Sequence, residues 1–405
     1  MLSADAPGHD ARGYQAFRDE VRGFLSDKLT PDLRAAGRET VGTHSAIEAC
    51  RVWHQRLYEK GWIAPAWPVD QGGTGWTPAQ RMIFERECAD QDAPILFAGG
   101  LRSMGPLLIE MGTLEQRRRY LPAILSGDDL WCQGFSETGA GSDLAAVQTK
   151  ALCDGDDYIV TGSKIWTTGA HLSNRMFCLV RTRESDRPQR GISFLLVDMD
   201  TPGLSVEPIT MLTGEHEFNQ IRFDGVRVPK ENLVGAEHDG WSVAKALMRH
   251  ARASNTTAGH LHRALNAAQR LLTELATIPE PGLIDTFQSL KIELEAFDVL
   301  EHRCRRSLDR NSSEGQERAT ASFLKAAATE LHQKITEAAM QLNGPYAMLR
   351  CSSGANNSPE AAAGALSTAK YLGLRAASIY SGTNEIHRNL LAHHIEGNKP
   401  LVAAM

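Results

Sequence analysis

The sequence lacks the features that define several protein classes. No apolar run among its 405 residues approaches the roughly 18–20 residues needed to cross a bilayer. Residues 1–22 mix charges of both signs and have no apolar core of the kind found in signal peptides. We therefore expect a cytoplasmic protein with no membrane association.

Patterns for disulfides, metals and polyanions are also missing. The seven cysteines are odd in number and include no C-x-x-C pair, which argues against a disulfide framework and a zinc site. The 14 histidines show no H-E-x-x-H spacing, so we predict no metal. With 43 basic and 49 acidic residues, the net charge of -6 creates no field that would gather nucleic acid. Any anionic ligand must be bound locally.

Three stretches of the chain differ in hydrophobic period. Residues 1–130 have the period of helices, residues 131–238 contain short β-branched or aromatic runs, and residues 239–405 are rich in Ala and Leu. No helical segment separates the runs, so we expect an antiparallel sheet, as a small barrel or sandwich. The prediction is an α+β chain with an N-terminal helical domain (1–130), a central β-domain (131–238) and a C-terminal helix bundle (239–405).

Local signals predict where individual helices begin and end. Ser45 with Glu48 has the spacing of a capping box. Thr113 with Gln116 has the same spacing, and Thr77 precedes a proline at a predicted helix start. In the C-terminal part, breaks rich in Pro, Gly, Asn and Ser divide the sequence into predicted helices near 240–276, 283–309, 315–343, 361–378 and 384–396.

A loop rich in glycine and hydroxyl side chains opens the β-domain at residues 131–145. Its Gly-Ala-Gly is half of a dinucleotide-binding fingerprint, but Leu144 occupies the place of the third glycine and strands follow. A Rossmann site is therefore disfavoured. Exposed N–H groups beside Ser136 and Ser142 could bind a phosphate or the polar edge of a ring. A purely structural loop is equally consistent with this sequence.

Two further motifs are weak when taken alone. Trp166 stands beside two threonines at the end of a predicted strand, where it could be a core residue or a platform for a conjugated ring. The segment 379–386, Ile-Tyr-Ser-Gly-Thr-Asn-Glu-Ile, interrupts helical sequence. It is an ordinary helix cap or part of a binding site.

In this order, the motifs resemble the acyl-CoA dehydrogenase family over nearly the whole chain. They include Gln-Gly-Phe-Ser-Glu-Thr-Gly-Ala-Gly-Ser-Asp from Gln133, Lys-Ile-Trp-Thr-Thr from Lys164, and Phe-Asp-Gly-Val-Arg-Val-Pro from Phe223. The segments that begin at Trp131 and Arg190 are similar to those of bacterial members that act on bulky or unusual acyl-CoAs. Some of these members work as paired unlike subunits. The resemblance implies a FAD-dependent enzyme that oxidises an acyl-CoA thioester between Cα and Cβ.

The resemblance also assigns ligand-binding residues. It places FAD between the β-domain and the bundle, with the flavin and its ribityl chain along Gln133, Phe135, Ser136, Gly141 and Ser142. Against the isoalloxazine it places Trp166, Thr167 and Thr168, and on the diphosphate and adenosine side Thr383, Asn384 and Glu385. Substrate contacts are implied for Ser142, Arg252 and Ser381.

Oligomerisation is implied by a Gln-x-x-Gly segment that in relatives receives the FAD of a neighbouring subunit. Gln341 and Gly344 match it, which implies a homo- or hetero-oligomer, a dimer or tetramer, with an electron-transfer flavoprotein as a candidate redox partner. Pro345 replaces the usual second glycine, and no Arg-x-x-Phe-Gly segment stands near 270–285. The contacts across subunits are therefore the weakest part of the resemblance.

The catalytic base of the family is missing from both of its usual places. Ala251 and Ser381 occupy those positions, and neither side chain can abstract the α-proton, although the Ser381 N–H could still bind the thioester oxygen. Three interpretations remain. Another residue is the base, with His250, Glu215 and Glu217 the nearest candidates. Alternatively, the chain is the base-lacking partner in a mixed oligomer, or it runs lyase (desulfinase-like) or monooxygenase chemistry on an acyl-CoA.

Overall fold

The computed structural model describes residues 11–252, 257–274, 281–308, 314–349 and 358–395. Its N-terminal part is helical, as the period predicts. The helices are α1 (Ala11–Lys28), α2 (Pro31–Glu39), α3 (Ile47–Lys60), α4 (Pro78–Asp90), α5 (Gly105–Met111) and α6 (Leu114–Ser126). None of the helices in the described ranges is both long and apolar enough to span a bilayer.

Two of the three predicted helix starts have the expected caps. The hydroxyls of Thr77 and Thr113 each accept from the backbone N–H three residues later, in complete capping boxes. The prediction for Ser45 is wrong. Helix α3 is preceded by Ala46 without a side-chain cap, because the Ser45 hydroxyl instead accepts a hydrogen bond from the Ile95 N–H at 2.9 Å. The hydroxyl that the local pattern assigned to the helix cap is therefore used in a tertiary hydrogen bond.

The central part is a sheet that, within the described residues, contains eight strands. The strands are β1 (Trp131–Gly134), β2 (Lys150–Asp154), β3 (Asp157–Thr168), β4 (Arg175–Arg181), β5 (Ile192–Asp198), β6 (Leu204–Thr210), β7 (His216–Pro229) and β8 (Leu233–Val234). Their order is β6-β7-β3-β2-β4-β5-β8, and β1 pairs with β4. The expectation of a purely antiparallel sheet is wrong, since β4 pairs in parallel with both β1 and β2.

The parallel pairs have a simple origin. A parallel connection needs a crossover of a dozen or more residues, which is usually a helix. Here the hairpin of β2 and β3, together with the glycine-rich loop, lies between β1 and β4 and makes that crossover. The absence of a helix between strands therefore did not exclude parallel pairing.

The C-terminal part is a bundle of long helices. They are α7 (Gly240–Arg252), α8 (Ala258–Glu274), α9 (Pro281–Leu308), α10 (Glu314–Leu342), α11 (Pro359–Leu374) and α12 (Asn384–Ile395). The predicted helix near 240–276 is thus two helices, and the segment 253–256 lies outside the described residues. Helix α11 ends earlier than predicted and continues as a 3-10 turn, Arg375–Ser378.

Helix α7 packs on the sheet, away from the rest of the bundle core. Its Leu247 belongs to a hydrophobic cluster with Trp131 and Phe194, which joins the N-terminal helices to one face of the sheet. A separate cluster around Leu261 and Phe287 holds α8, α9 and α10 together. Helix α7 therefore joins the C-terminal part to the N-terminal helices and the sheet.

Close packing at a helical glycine gives the first prediction. A Cβ at Gly105 would lie 1.9 Å from Cζ2 of Trp67, whereas a Cβ at Gly23, within α1, would meet no heavy atom within 4 Å. We expect Gly105→Ala to destabilise the protein by about 1–3 kcal/mol through overpacking. Gly23→Ala, the matched control, should stabilise it by about 0.5–1 kcal/mol. Thermal unfolding of both variants checks this, and equal shifts would contradict the packing at Trp67.

Candidate functional site

A buried ion pair fixes the glycine-rich loop that opens the β-domain. The fully buried Lys164 donates from Nζ to Glu137 Oε1 at 2.7 Å and to the Phe135 carbonyl at 3.1 Å. Glu137 also accepts from the backbone N–H groups of Gln148 at 2.6 Å and Thr149 at 3.0 Å. Burial opposes its ionisation, but Lys164 and these hydrogen bonds outweigh burial and lower the pKa of Glu137.

The loop presents some predicted ligand-binding residues and hides another. The side chains of Gln133 and Ser142 are exposed, as is Gly141, and Ser136 is half-buried. The Phe135 ring instead lies in the core, edge-on to Phe177 and Phe194 at centroid distances of 5.8 and 6.0 Å. Only the backbone of Phe135 can therefore reach a ligand at this surface.

The end of β3 carries an exposed indole. The pairing of β3 with β7 slips between Lys164 and Thr167, and Trp166 has a left-handed backbone with φ 60°. Its ring is 58% exposed and meets Phe218 edge-on at 6.1 Å. Thr167 points the other way, and its buried hydroxyl has no hydrogen-bond partner among the described residues. An open aromatic face beside half-buried Thr168 fits a flat, conjugated ring.

A second left-handed turn precedes α12. Ser381 is exposed with φ 56°, and Gly382 follows with φ 89°. The Ser381 carbonyl accepts from Nε2 of the fully buried His387 at 3.1 Å, which fixes the turn and leaves the Ser381 side chain outside. Such backbone conformations in residues other than glycine are uncommon and concentrate at functional sites.

The start of α12 is held by the bundle. Asn384 is buried, accepts from Lys325 Nζ at 2.9 Å and donates to Glu330 at 3.0 Å. Its amide is therefore already used within the protein. The Thr383 hydroxyl accepts from the Ile386 N–H at 3.3 Å. The Glu385 side chain is exposed, and hydrogen bonds from backbone and Thr383 lower its pKa.

Glu217 joins the three parts of the chain near these two turns. Its buried carboxylate accepts from the Thr43 N–H at 2.7 Å and from the Thr43 hydroxyl. Its carbonyl accepts from the Gly169 N–H, next to Thr168, at 2.8 Å. Burial, reinforced by the charge of Glu217, raises the pKa of Tyr380 to about 12. Glu217 therefore ties the loop after α2 to the strand end and lies near the Ser381 turn.

The other candidate bases have different surroundings. His250 Nε2 and Glu110 Oε2 are 2.8 Å apart, and Arg249 donates to the same carboxylate at 2.5 Å. Glu215 is exposed as a whole residue, but partial desolvation of its carboxyl, together with the charge of Glu217, raises its pKa. Ala251 and Arg252 end α7, but their side chains lie outside the described part of the chain.

Gln341 lies in the last turn of α10, and Gly344 follows the helix. The Gln341 side chain and Gly344 are exposed, and Gly344 begins a 3-10 turn with φ 49°. That turn leaves apolar side chains in solvent, of which Met348 is 84% exposed. Residues 275–280 lie outside the described residues. They are part of the range 270–285, which contains no Arg-x-x-Phe-Gly segment.

Several residues that hold the candidate site carry no signal in the sequence. Glu137, Glu110 and Asn219 act through partners 27, 140 and 52 residues away. No local spacing reports such contacts. Trp166 did carry a signal, since the resemblance places it against the isoalloxazine, although the residue pattern alone also fits a core tryptophan. In the described residues, no group of three or more His, Cys, Asp or Glu is arranged to hold a metal.

The chain matches three family models in succession. These are acyl-CoA dehydrogenase N-terminal domain at residues 12–128, middle domain at 132–226 and C-terminal domain at 238–396. Acyl-CoA dehydrogenase IpdE1 of Mycobacterium tuberculosis is 36% identical, covering 95% of this chain and 97% of the relative. Cyclohexane-1-carbonyl-CoA dehydrogenase of Syntrophus aciditrophicus is 33% identical, covering 56% and 58%.

Solved structures give the same result. A protein described as the Tcur3481-Tcur3483 steroid ACAD has a TM-score of 0.81 at 28% identity, covering 97% of this chain and 99% of that chain. The ChsE4-ChsE5 complex from Mycobacterium tuberculosis has a TM-score of 0.79 at 26% identity, covering 98% and 100%. The similarity extends over the whole fold.

The buried ion pair gives the second prediction. Glu137→Gln leaves the Lys164 ammonium buried without its anion, and we expect a loss of about 3–5 kcal/mol in unfolding free energy. The stabilisation by ionised Glu137 is present above its ordinary pKa and is lost as the pH falls through its lowered pKa. Glu115→Gln is the matched control, since Glu115 pairs with Arg118 at 3.4 Å on the surface and should contribute almost nothing. Similar losses in both variants, measured by urea unfolding, would contradict the assignment.

Proposed function

The chain belongs to the acyl-CoA dehydrogenase family, and we propose that it binds FAD between the loop 133–142, Trp166–Thr168 and the Ser381 turn to oxidise an acyl-CoA. Members of the family are FAD-binding oxidoreductases. The observation that carries the proposal is the exposed, left-handed Trp166 at the end of β3. A large aromatic face left in water beside a polar loop fits a ligand with a flat ring system.

The residues of this chain would have separate roles in binding the cofactor and in stabilising charge on the substrate. Exposed Gln133 and Ser142 offer donors and acceptors to the polar edge of the ring and the ribityl chain, beside the open backbone of Gly141. When bound, FAD supplies the acceptor for the β-hydride. The N–H of Ser381 would donate to the thioester oxygen and stabilise the charge that develops there. This contribution does not depend on the side chain at 381.

Three residues are candidates for abstracting the α-proton, and their contacts differ. The Glu217 carboxylate already accepts two hydrogen bonds from Thr43, so it would have to break them to take a proton. Glu215 keeps its solvent exposure, and its raised pKa makes it a better proton acceptor. His250 is oriented by Glu110, as a histidine base is oriented by a carboxylate in other enzymes.

The names of the relatives support a proposal for the substrate and the assembly. One structural neighbour is described as a steroid ACAD, and it shares 28% identity over 97% of this chain. We propose a bulky, polycyclic acyl-CoA of that class as the substrate. A second candidate function is that of the base-lacking subunit in a mixed oligomer. Two neighbours have two-component names, and neither position 251 nor position 381 is acidic.

An anaerobic titration of the purified protein with acyl-CoAs tests this proposal. Bleaching of the flavin absorbance would support dehydrogenation, and a spectral shift without bleaching would support the partner-subunit role. A product other than the enoyl-CoA would point to lyase or monooxygenase chemistry. A protein that stays colourless after incubation with FAD would contradict the proposed cofactor. Co-purification of an acid-bearing homologue from the native host would favour the mixed oligomer.

Installing a carboxylate tests the missing base. We expect Ala251→Glu to raise the rate of flavin bleaching by acyl-CoA on the order of 10²-fold, because a positioned general base contributes about that much. Ala251→Gln is the matched control, with the same length and no basic group. Ser381→Glu tests the other family position. Wild type that bleaches as fast as both mutants would show that the base is present. Mutants that bind FAD and acyl-CoA but stay inert would contradict the assumed binding pose.

A further inference from the structure

The backbone around Trp166 is strained and needs support from its surroundings. In the pairing of β3 with β7, Lys164 lies opposite Ile221, and Thr167 opposite Asn219. Two residues of β3 therefore face one residue of β7, which is a β-bulge of the kind found next to active sites. A left-handed φ at an aromatic residue costs about 1–3 kcal/mol. Such a conformation persists only when neighbouring contacts fix it.

Asn219 makes those contacts from inside the sheet. Its fully buried amide donates from Nδ2 to the Thr167 carbonyl at 3.0 Å, the residue directly after the bulge. The same nitrogen lies 3.2 Å from His171 Nδ1, and Oδ1 lies 2.6 Å from His216 Nε2. Because a carbonyl oxygen can only accept, the Thr167 contact determines which way the amide is oriented.

The orientation of Asn219 also determines the tautomers of both histidines. His216 must carry its proton on Nε2 to donate to Oδ1, and His171 must keep Nδ1 unprotonated to accept from Nδ2. The two rings are stacked with centroids 3.8 Å apart and planes 24° from parallel. Two imidazolium cations at this distance would repel each other. The network is therefore complete only when His171 is neutral.

We infer that Asn219 is a positioning residue, which holds the bulge that presents Trp166 to the flavin for as long as His171 remains neutral. This inference rests on the proposed function only for the identity of the ligand. The contacts of Asn219 belong to the protein alone. Asn219 has no exposed atom with which to touch a ligand itself, so its effect passes through Thr167 and Trp166.

The charged groups around His171 determine the direction of its pH dependence. It faces His216 and Glu217 on β7 and His44 in the loop after α2. Burial and the charge of His216 lower the pKa of His171 below its ordinary value of 6.5. Protonated Nδ1 would set an N–H against the amide N–H groups of Asn219. The support of the bulge is therefore present at neutral pH and is lost as the pH falls through the lowered pKa.

Hydrogen exchange on the FAD-free protein tests the inference without any activity. Asn219→Asp keeps the size and the acceptor for His216 but removes both donors. We expect protection factors of amides 165–169 to fall about tenfold, and the dissociation constant for added FAD to rise by a similar factor. Asn232→Asp makes the same chemical change at a buried asparagine outside this network, whose Oδ1 accepts from the Tyr120 hydroxyl at 3.3 Å and would be kept as a carboxylate oxygen. It should leave both quantities unchanged.

A second variant isolates the histidine. Asn at position 171 can offer an amide oxygen to Asn219 and does not titrate, so His171→Asn should keep wild-type protection at pH 7.5. It should also remove the loss of protection that wild type shows as the pH falls from 7.5, past the ordinary histidine pKa of 6.5 and through the lowered pKa of His171. Wild-type protection in Asn219→Asp, or the same pH curve with and without His171, would overturn the inference. Failure of wild type to bind FAD would count against the proposed function alone, because exchange needs no cofactor.

Discussion

The first four residues of β7 hold together segments that are far apart in the chain. Glu217 binds Thr43 through its carboxylate and Gly169 through its carbonyl. Asn219, two residues later on the same face of the strand, binds the Thr167 carbonyl. A Cβ at Gly42 would lie 2.1 Å from the Glu217 carboxylate, so the loop after α2 can approach this closely only with glycine there. The shape of the site depends on this strand more than on the residues that would touch a ligand.

The parts of the fold that depend on local sequence were predictable. The caps at Thr77 and Thr113 need only residues three positions apart, and both form. The cap at Ser45 had the same pattern and failed because Ile95, 50 residues away, uses its hydroxyl. The candidate site shows the same difference between local motifs and contacts with distant residues. Motif similarity pointed to Trp166 and Ser381, but it could not reveal the contacts of Asn219, which exist only after β3 and β7 have paired.

Under the proposed function, Ala251 and Ser381 leave proton abstraction to another group. Backbone groups at the left-handed Ser381 turn are retained whatever the side chain, and the turn is fixed by His387. Stabilisation of negative charge at the thioester could therefore survive the loss of the base, while proton transfer could not. A chain without the base would retain the stabilisation of charge at the thioester, which depends on the backbone conformation. Under the proposed function, its proton acceptor would come from Glu215, from the His250 pair or from another subunit.

The end of α10 is relevant to whether another subunit contributes to the site. Asn343 is buried and donates to the Ala339 carbonyl and Ser367 hydroxyl, which fixes the turn that follows it. The turn nevertheless presents Tyr346, Met348 and Leu349 to solvent, beside the exposed Gln341. Exposed apolar side chains of this kind are common at protein–protein contacts, so the turn supports the proposed oligomer. If that contact is with an unlike subunit, the two chains need not carry the same catalytic residues. In the proposed mixed oligomer, the partner would then supply the proton acceptor that positions 251 and 381 of this chain do not offer.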